Sequence, residues 1–331
     1  MVFYDPIGVH HLLGQPPIFY LYKGGPVPLH ATHVRIDKSI NFIPDELFSE
    51  SCVQEVEMHN GVYKIGKLAF YNCHCLERIS GATGVQVIDM GAFYRCRRLK
   101  YLEFGEEKLE RICQGAFSRC ASLHGLKIPS VEIVGSHAFQ YCVKMTDVEF
   151  GERLERMEGF TFLNCYSLRR VVVPLQKDLI SYNIFKGCTH MANVDLVGEV
   201  RNTISRFNLQ VWKDEMEVEI GKIMQDLAAA PIDDKTTAVQ QWIRRVHARV
   251  EHFTNEHNNL LKESAILLEL SLWQGNLVEI DHDMEEEASL ELEAKPRKKA
   301  KTDFNGVRQE RRMSCGADVV IKNVLSFLQL D

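Results

Sequence analysis

What these 331 residues lack narrows the field first. No apolar stretch approaches the ~18 residues that a membrane span requires. No Asn-x-Ser/Thr acceptor occurs with a residue other than proline at its centre. The opening residues, MVFYDPIGVHHLLG, have no basic start followed by an apolar run, so no signal peptide is read there. These absences lead us to expect an intracellular protein, cytoplasmic or nuclear. Catalytic signatures are missing as well: neither G-x-S-x-G nor H-E-x-x-H is present. The segment Gly61 to Leu68 nearly satisfies a phosphate-binding loop, with Gly61, Gly66 and Lys67 at the right interval. Leu68, however, stands where a Ser or Thr must hold magnesium. The thirteen histidines are scattered, and His252 and His257 are five apart, too far round to share one helix face well. We therefore expect no enzyme, no cofactor and no metal, although catalysis without a motif stays open as a minor reading. The formal charge of −6 argues against a chain whose whole surface grips nucleic acid.

What is present is a beat. Phenylalanine recurs with a cysteine three residues behind it: Phe70/Cys73, Phe93/Cys96, Phe117/Cys120, Phe139/Cys142, Phe162/Cys165 and Phe185/Cys188. The steps between phenylalanines are 23, 24, 22, 23 and 23 residues, and an imperfect leading copy holds Phe48 and Cys52. A fixed period of this size signals a solenoid, in which one coil cannot bury its apolar face alone. The cysteines are read as small buried hydrophobes forming an interior ladder. A disulfide between neighbouring rungs or a metal site are the alternatives, and zinc prefers much shorter cysteine spacings.

Each copy has three parts. A short apolar piece comes first, such as Val85–Ile88 or Leu109–Ile112. A small residue, the phenylalanine and the cysteine follow. An L-x-x-[VIL]-x-[FIVL] run comes next, as in Leu99 to Phe104 and Leu123 to Ile128. That run alternates with period 2, the signature of a half-buried strand, and Gly or Pro then turns the chain. The A-F-x-x-C segment is short and is read as one helical turn.

This pattern resembles the BspA-type leucine-rich repeat found in bacterial surface proteins and in unicellular eukaryotes, some of which carry a helical C-terminal tail. The resemblance covers roughly residues 34 to 198. It implies a leucine-rich repeat solenoid of short parallel β-strands and short helical turns, followed by an α-helical C-terminal module. It also implies partner binding on the surface and no catalysis. The core positions are Phe70, Cys73, Phe93, Cys96, Phe117, Cys120, Phe139, Cys142, Phe162, Cys165, Phe185 and Cys188. Two of the copies depart from the pattern, with Thr161 and Ile184 in place of alanine.

In such repeats the ligand usually lies on the strand face. The candidate partner-binding face is Glu55, Glu57, Tyr101, Glu103, Lys127, Asp147, Glu149, Arg170, Asn193 and Asp195, with Val172 also read as outward. The stripe is mixed and somewhat acidic, so protein partners of unknown identity fit it and a phosphate backbone does not. A solvated face without a ligand is the competing reading.

The organisation expected is an N-terminal segment 1–33, about seven coils over 34–200, a helical hairpin module over 201–280, a charged flexible linker 281–310 and a short helix 311–331. The hairpin is expected to pack on the last coil and shield its open strand edge. Self-association of the tail helices through a coiled coil is the alternative. Within the linker, Lys295, Arg297, Lys298, Lys299 and Lys301 fit a nuclear import signal or a charge-balanced spacer. No membrane partner is expected.

Overall fold

Alternation of apolar and polar residues makes each L-x-x-[VIL]-x-[FIVL] run a strand with one buried face. In Glu55–Glu57, for example, Val56 is buried between two exposed glutamates. The computed structural model describes residues 17–28, 30–207 and 209–291. Over them, the strands Phe19–Tyr22, His33–Ile36, Glu55–Glu57, Arg78–Ala82 and Tyr101–Phe104 pair in parallel as a five-stranded sheet. Gly125–Ile128, Asp147–Phe150, Arg170–Pro174 and Asn193–Val197 form a four-stranded continuation. The two-residue pieces at Phe42, Lys64, Val87, Arg111, Ile133 and Arg156 build a second, six-stranded parallel sheet. The lookalike phosphate loop lies here: Lys64–Ile65 is a strand paired on both sides, with Lys64 Nζ 2.8 Å from Asp89.

The core between the sheets is a column of rings. Phe48, Phe70, Phe93, Phe117, Phe139, Phe162 and Phe185 are each fully buried. Their centroids lie 4.8–5.8 Å apart and their planes tilt by 1–7°. The coil spacing of parallel strands, about 4.8 Å, imposes that separation, so each ring packs flat on the next. The cysteine beside each ring has a polar task as well. Its Sγ donates to the carbonyl of the preceding coil's phenylalanine at 2.8–3.2 Å, from Cys73 to Phe48 through Cys188 to Phe162. A buried carbonyl needs a partner; cysteine is small and apolar enough for the column yet still carries a weak donor. The nine described cysteines are all free thiols.

The A-F-x-x-C segment takes another form than a helical turn. Two successive i→i+3 turns occupy it, as in Ala69 N to Gly66 O and Cys73 N to Phe70 O. Their third residues, Leu68 and Asn72, have φ of 53° and 58°, which marks type II turns. Between these turns the backbone is tied to the next coil: Leu68, Phe70 and Asn72 donate to Met90, Ala92 and Tyr94. A helix would direct those N–H groups along its own axis, whereas these turns direct them across the stack.

One discontinuity interrupts the large face. Tyr101–Phe104 and Gly125–Ile128 do not pair, although the ring column and the second sheet run on unbroken through the same coils. The break falls in the longest step of the repeat, the 24 residues between Phe93 and Phe117. Lys127 Nζ and Glu106 meet across it at 3.2 Å.

After the last strand come α1 (Glu199–Ser205), α2 (Gln210–Gly221), α3 (Ile223–Ala229), a 3-10 turn at Ile232–Asp234 and α4 (Lys235–Glu291). Residues 235–280 of the expected hairpin module and residues 281–291 expected as linker are therefore one helix of 57 residues. No proline lies within it, and Gln, Glu, Leu and Met sustain helix well. The part of that module ahead of α4 holds the three short helices α1, α2 and α3 in place of one long arm.

The described chain divides into two compact units. One holds the solenoid, α1 and Asp214–Val250; the other holds Arg206–Lys213 and α4 from Glu251 onward. In the first unit, the start of α4 closes the last coil by imitating the coil that does not follow. Phe162 N donates to Ile184 O at 3.0 Å; one coil later, Phe185 N donates to Thr236 Oγ1 at 3.0 Å. Ser181 N donates to Met157 O; one coil later, Ile180 O accepts from Gln240 Nε2 at 2.9 Å. Lys235 Nζ donates to Met191 O at 2.9 Å. Side chains thus satisfy edge groups that would otherwise be buried and orphaned. Trp242, fully buried, donates from Nε1 to Glu219 O at 3.2 Å. In the second unit, Trp212 stacks on Phe253 at 5.4 Å with Phe207 edge-on to both. Among the described residues no helix is long and apolar enough to cross a membrane.

Candidate functional site

Strand register sets the candidate face. Glu55 lies opposite His33 and Arg78, and Glu57 opposite Arg35 and Ser80. Beyond the discontinuity, Asp147 lies opposite Gly125 and Arg170, Glu149 opposite Lys127 and Val172, and Asn193 opposite Arg170. The ten face residues therefore fall into two groups. Glu55, Glu57, Tyr101 and Glu103 belong to the five-stranded sheet. Lys127, Asp147, Glu149, Arg170, Asn193 and Asp195 belong to the four-stranded one.

Facing residues of opposite sign neutralise one another. Arg35 Nε meets Glu57 at 2.7 Å, and Glu55 lies 3.8 Å from His33 and 3.9 Å from Arg78. Arg170 bridges Glu149 at 2.7 Å and Asp195 at 2.5 Å, and those two acceptors hold its guanidinium even more firmly charged than usual. Asn193 donates to Asp195 at 2.7 Å, and Asp147 accepts from Thr146. Arg78 lies over the exposed Tyr101 ring, 4.4 Å from its centroid. Each such pair is worth at most about 1 kcal/mol. Glu55, Glu57, Glu149 and Asp195 meet a cation, while Glu103 and Asp147 form no ion pair among the described residues, so the stripe is partly balanced and stays mildly acidic. Val172, read as outward, is buried at 8% exposure, because the Arg170–Pro174 strand is covered on both faces.

The core phenylalanines and cysteines form the column and thiol ladder described above, not a reactive centre. Burial drives the thiols of Cys96, Cys120, Cys142 and Cys165 far from ionisation, and that of Cys188 is pushed up to about 12. Such thiols are poor nucleophiles. Among the described residues no group of three or more His, Cys, Asp or Glu could hold a metal ion. Lys295, Arg297, Lys298, Lys299 and Lys301 lie outside the described residues, as does the terminal segment 311–331. The sequence reading passed over one set of positions, the residues two after each phenylalanine. Their signal is one of residue type: glutamate, arginine and tyrosine at Glu50, Arg95, Arg119 and Tyr141, where the remaining coils carry asparagine or glycine.

The repeat geometry agrees with the family comparison. Residues 30–144 and 110–210 match the BspA type leucine rich repeat region in six copies. Together these spans are more than half of the chain, which therefore belongs to the BspA-type leucine-rich repeat family. Leucine-rich repeat proteins generally act through protein–protein interaction, and the family is typically non-catalytic. No curated protein matches the chain. Among solved structures, a leucine rich cell surface protein from Faecalibacterium prausnitzii is similar at 23% identity and a TM-score of 0.46 over 55% of this chain and 50% of that one. A leucine rich repeat protein of T. pallidum is 21% identical over 50% and 69% of the two chains, with a TM-score of 0.37. One from Bacteroides ovatus is 19% identical over 52% and 53%, with a TM-score of 0.36. The chain thus spans about half the length of the F. prausnitzii protein.

Proposed function

We propose that the chain is a non-catalytic protein-interaction scaffold whose partners bind the strand face. One observation carries the reading: half-buried and exposed polar side chains stand in fixed register on a sheet packed over the ring column. Such a surface offers many weak, geometrically exact contacts instead of a pocket. The test uses the full chain as bait in affinity capture from the native cell, read by mass spectrometry. Asp147→Lys with Glu149→Lys should lose specific partners that the parent retains at equal melting temperature. Partners captured equally by both would end the assignment to this face. We place the protein inside the cell, in cytoplasm or nucleus; a fluorescent fusion with Lys298→Ala and Lys299→Ala tests use of the basic block.

A second reading, a structural protein that self-associates through its C-terminal helices, has its own support. On α4, Ile266, Leu267, Leu270 and Trp273 are exposed, with Trp273 at 71%. Light scattering decides it: an oligomer that Leu267→Lys with Leu270→Lys reduces to monomer supports this reading, and a monomeric parent at micromolar concentration ends it.

A further inference from the structure

The turn side of the solenoid differs electrostatically from the strand face. On the strand face Arg35, Arg78 and Arg170 each have a carboxylate within 4 Å. On the turn side, Arg95, Arg97 and Arg119 form no ion pair and donate no side-chain hydrogen bond to any described residue, and Arg95 Nε is buried without an acceptor. Arg95 and Arg119 belong to one row, two residues after each phenylalanine, and His74 and Arg97 flank it two residues further on. Asn72 N donates to Tyr94 O, Arg95 N to Ser118 O and Arg119 N to Gln140 O, all within 2.7–2.9 Å, so equivalent positions of consecutive coils stack directly. Arg95 lies 5.5 Å from the Tyr94 ring and Arg119 4.8 Å from the Tyr141 ring. Tyr71 and Tyr94 stack at 5.6 Å. A guanidinium beside a tyrosine ring can still offer N–H groups to an oxyanion; at Arg95 these are the terminal nitrogens, because its Nε is buried. His74 reports the field of this row: burial, then Arg97 and Arg95, push its pKa down, against a smaller opposing pull from Glu50.

Backbone conformation sets the cost of an arginine at these positions. The residue two after the phenylalanine is left-handed in every described coil. Asn72, Asn164 and Gly187 suit that region, but Glu50, Arg95, Arg119 and Tyr141 occupy it at φ of 59°, 64°, 65° and 57°. A side chain other than Gly or Asn is strained there; the ladder bonds to the next coil impose that conformation along the whole stack, at Leu68 and Phe160 as well. Within the fold the arginines gain no charged partner in return.

We propose that the row of Arg95 and Arg119, with the flanking His74 and Arg97, docks a carboxylate-rich peptide segment of a partner protein. Arginine and tyrosine are the residues on which protein contacts concentrate, and carboxylates are the charge these guanidiniums lack. A long polyanion such as nucleic acid fits less well. It would extend past this short row over a chain of net charge −6, with Glu50 at one end. The row reaches across only three coils, roughly 10–15 Å at the spacing of parallel strands, which suits a short segment. The inference rests on the scaffold reading but not on its strand face.

The test is fluorescence anisotropy with the full chain and three labelled probes: hexaglutamate, hexalysine and a single-stranded oligonucleotide of equal charge. Hexaglutamate should bind, weaken with added salt, and lose about tenfold or more with Arg95→Asn plus Arg119→Asn. The same pair should leave the melting temperature unchanged or higher, because asparagine accepts the left-handed region. Asp147→Lys with Glu149→Lys should leave hexaglutamate binding intact, which separates the two surfaces. Failure of hexaglutamate to bind, tighter binding of the oligonucleotide, or binding that survives loss of both arginines each overturns the proposal while leaving the scaffold reading to its own test.

Discussion

Thr236→Val is the sharpest test of how the solenoid ends. The substitution exchanges one hydroxyl for a methyl of nearly equal volume, keeps β-branching, and opens no cavity. Thr236 is 4% exposed and Phe185 is fully buried, so water cannot reach the Phe185 N–H once its acceptor, 3.0 Å away, is gone. A buried donor left without a partner costs about 1–3 kcal/mol. In a repeat array each coil is stabilised by its neighbours, so the loss falls first on the terminal coil. Local opening there should become roughly 5- to 150-fold more frequent, at 1.4 kcal/mol per factor of ten. Amide hydrogen exchange read residue by residue should show Phe185 and Cys188 exchanging faster by that factor, with Phe117 and Phe139 unchanged. Thr236→Ser, which keeps the hydroxyl, should leave Phe185 protected. A valine variant whose Phe185 amide stays as protected as in the parent would refute the claim that α4 substitutes for a missing coil.

Three further outcomes are expected. Phe117→Ala should cost about 3–5 kcal/mol in urea unfolding, because the ladder bonds hold Phe93 and Phe139 apart and prevent collapse; Phe42→Ala, 44% exposed, should stay within about 0.5 kcal/mol. Glu219 is buried, which opposes ionisation, but hydrogen bonds from Lys222 and Arg245 outweigh that and hold its carboxyl below the usual range. Its contribution is therefore present above the ordinary glutamate pKa and is lost as pH falls through the depressed one. Glu219→Gln should destabilise by about 1.5–3 kcal/mol at pH 7 and by progressively less in acid unfolding below the glutamate range. Maleimide labelling of the native chain at pH 8 should modify half-exposed Cys52 and Cys113 and spare Cys96, Cys120, Cys142, Cys165 and Cys188 until denaturant is added; rapid native labelling of Cys120 would contradict the ladder.

Much of the solenoid was legible because a fixed period carries long-range information in a local signal. Phe93, Phe117 and Phe139 recur at one phase, and stacking coils in parallel is what buries a side chain so placed. The strand runs were legible from their alternation, and the Gly or Pro after them from turn chemistry. The turns were not: Leu68, Arg95 and Phe160 give no sign in sequence of a positive φ, because ladder bonds to the next coil impose it. The ion pairing on the strand face was hidden for a related reason. Arg170 lies 21 residues from Glu149 and 25 from Asp195, and only register brings them together.

From composition and period alone came the repeat, its inner residues and the change to helix after residue 200, since each depends on one-dimensional spacing. Folding in three dimensions decided the rest. It set which cations found carboxylates and which were left bare on the turn side. It parted Tyr101–Phe104 from Gly125–Ile128, and it made Thr236 and Gln240 serve as a coil's edge. Those outcomes depend on distances between atoms that the chain brings together only after its coils have stacked.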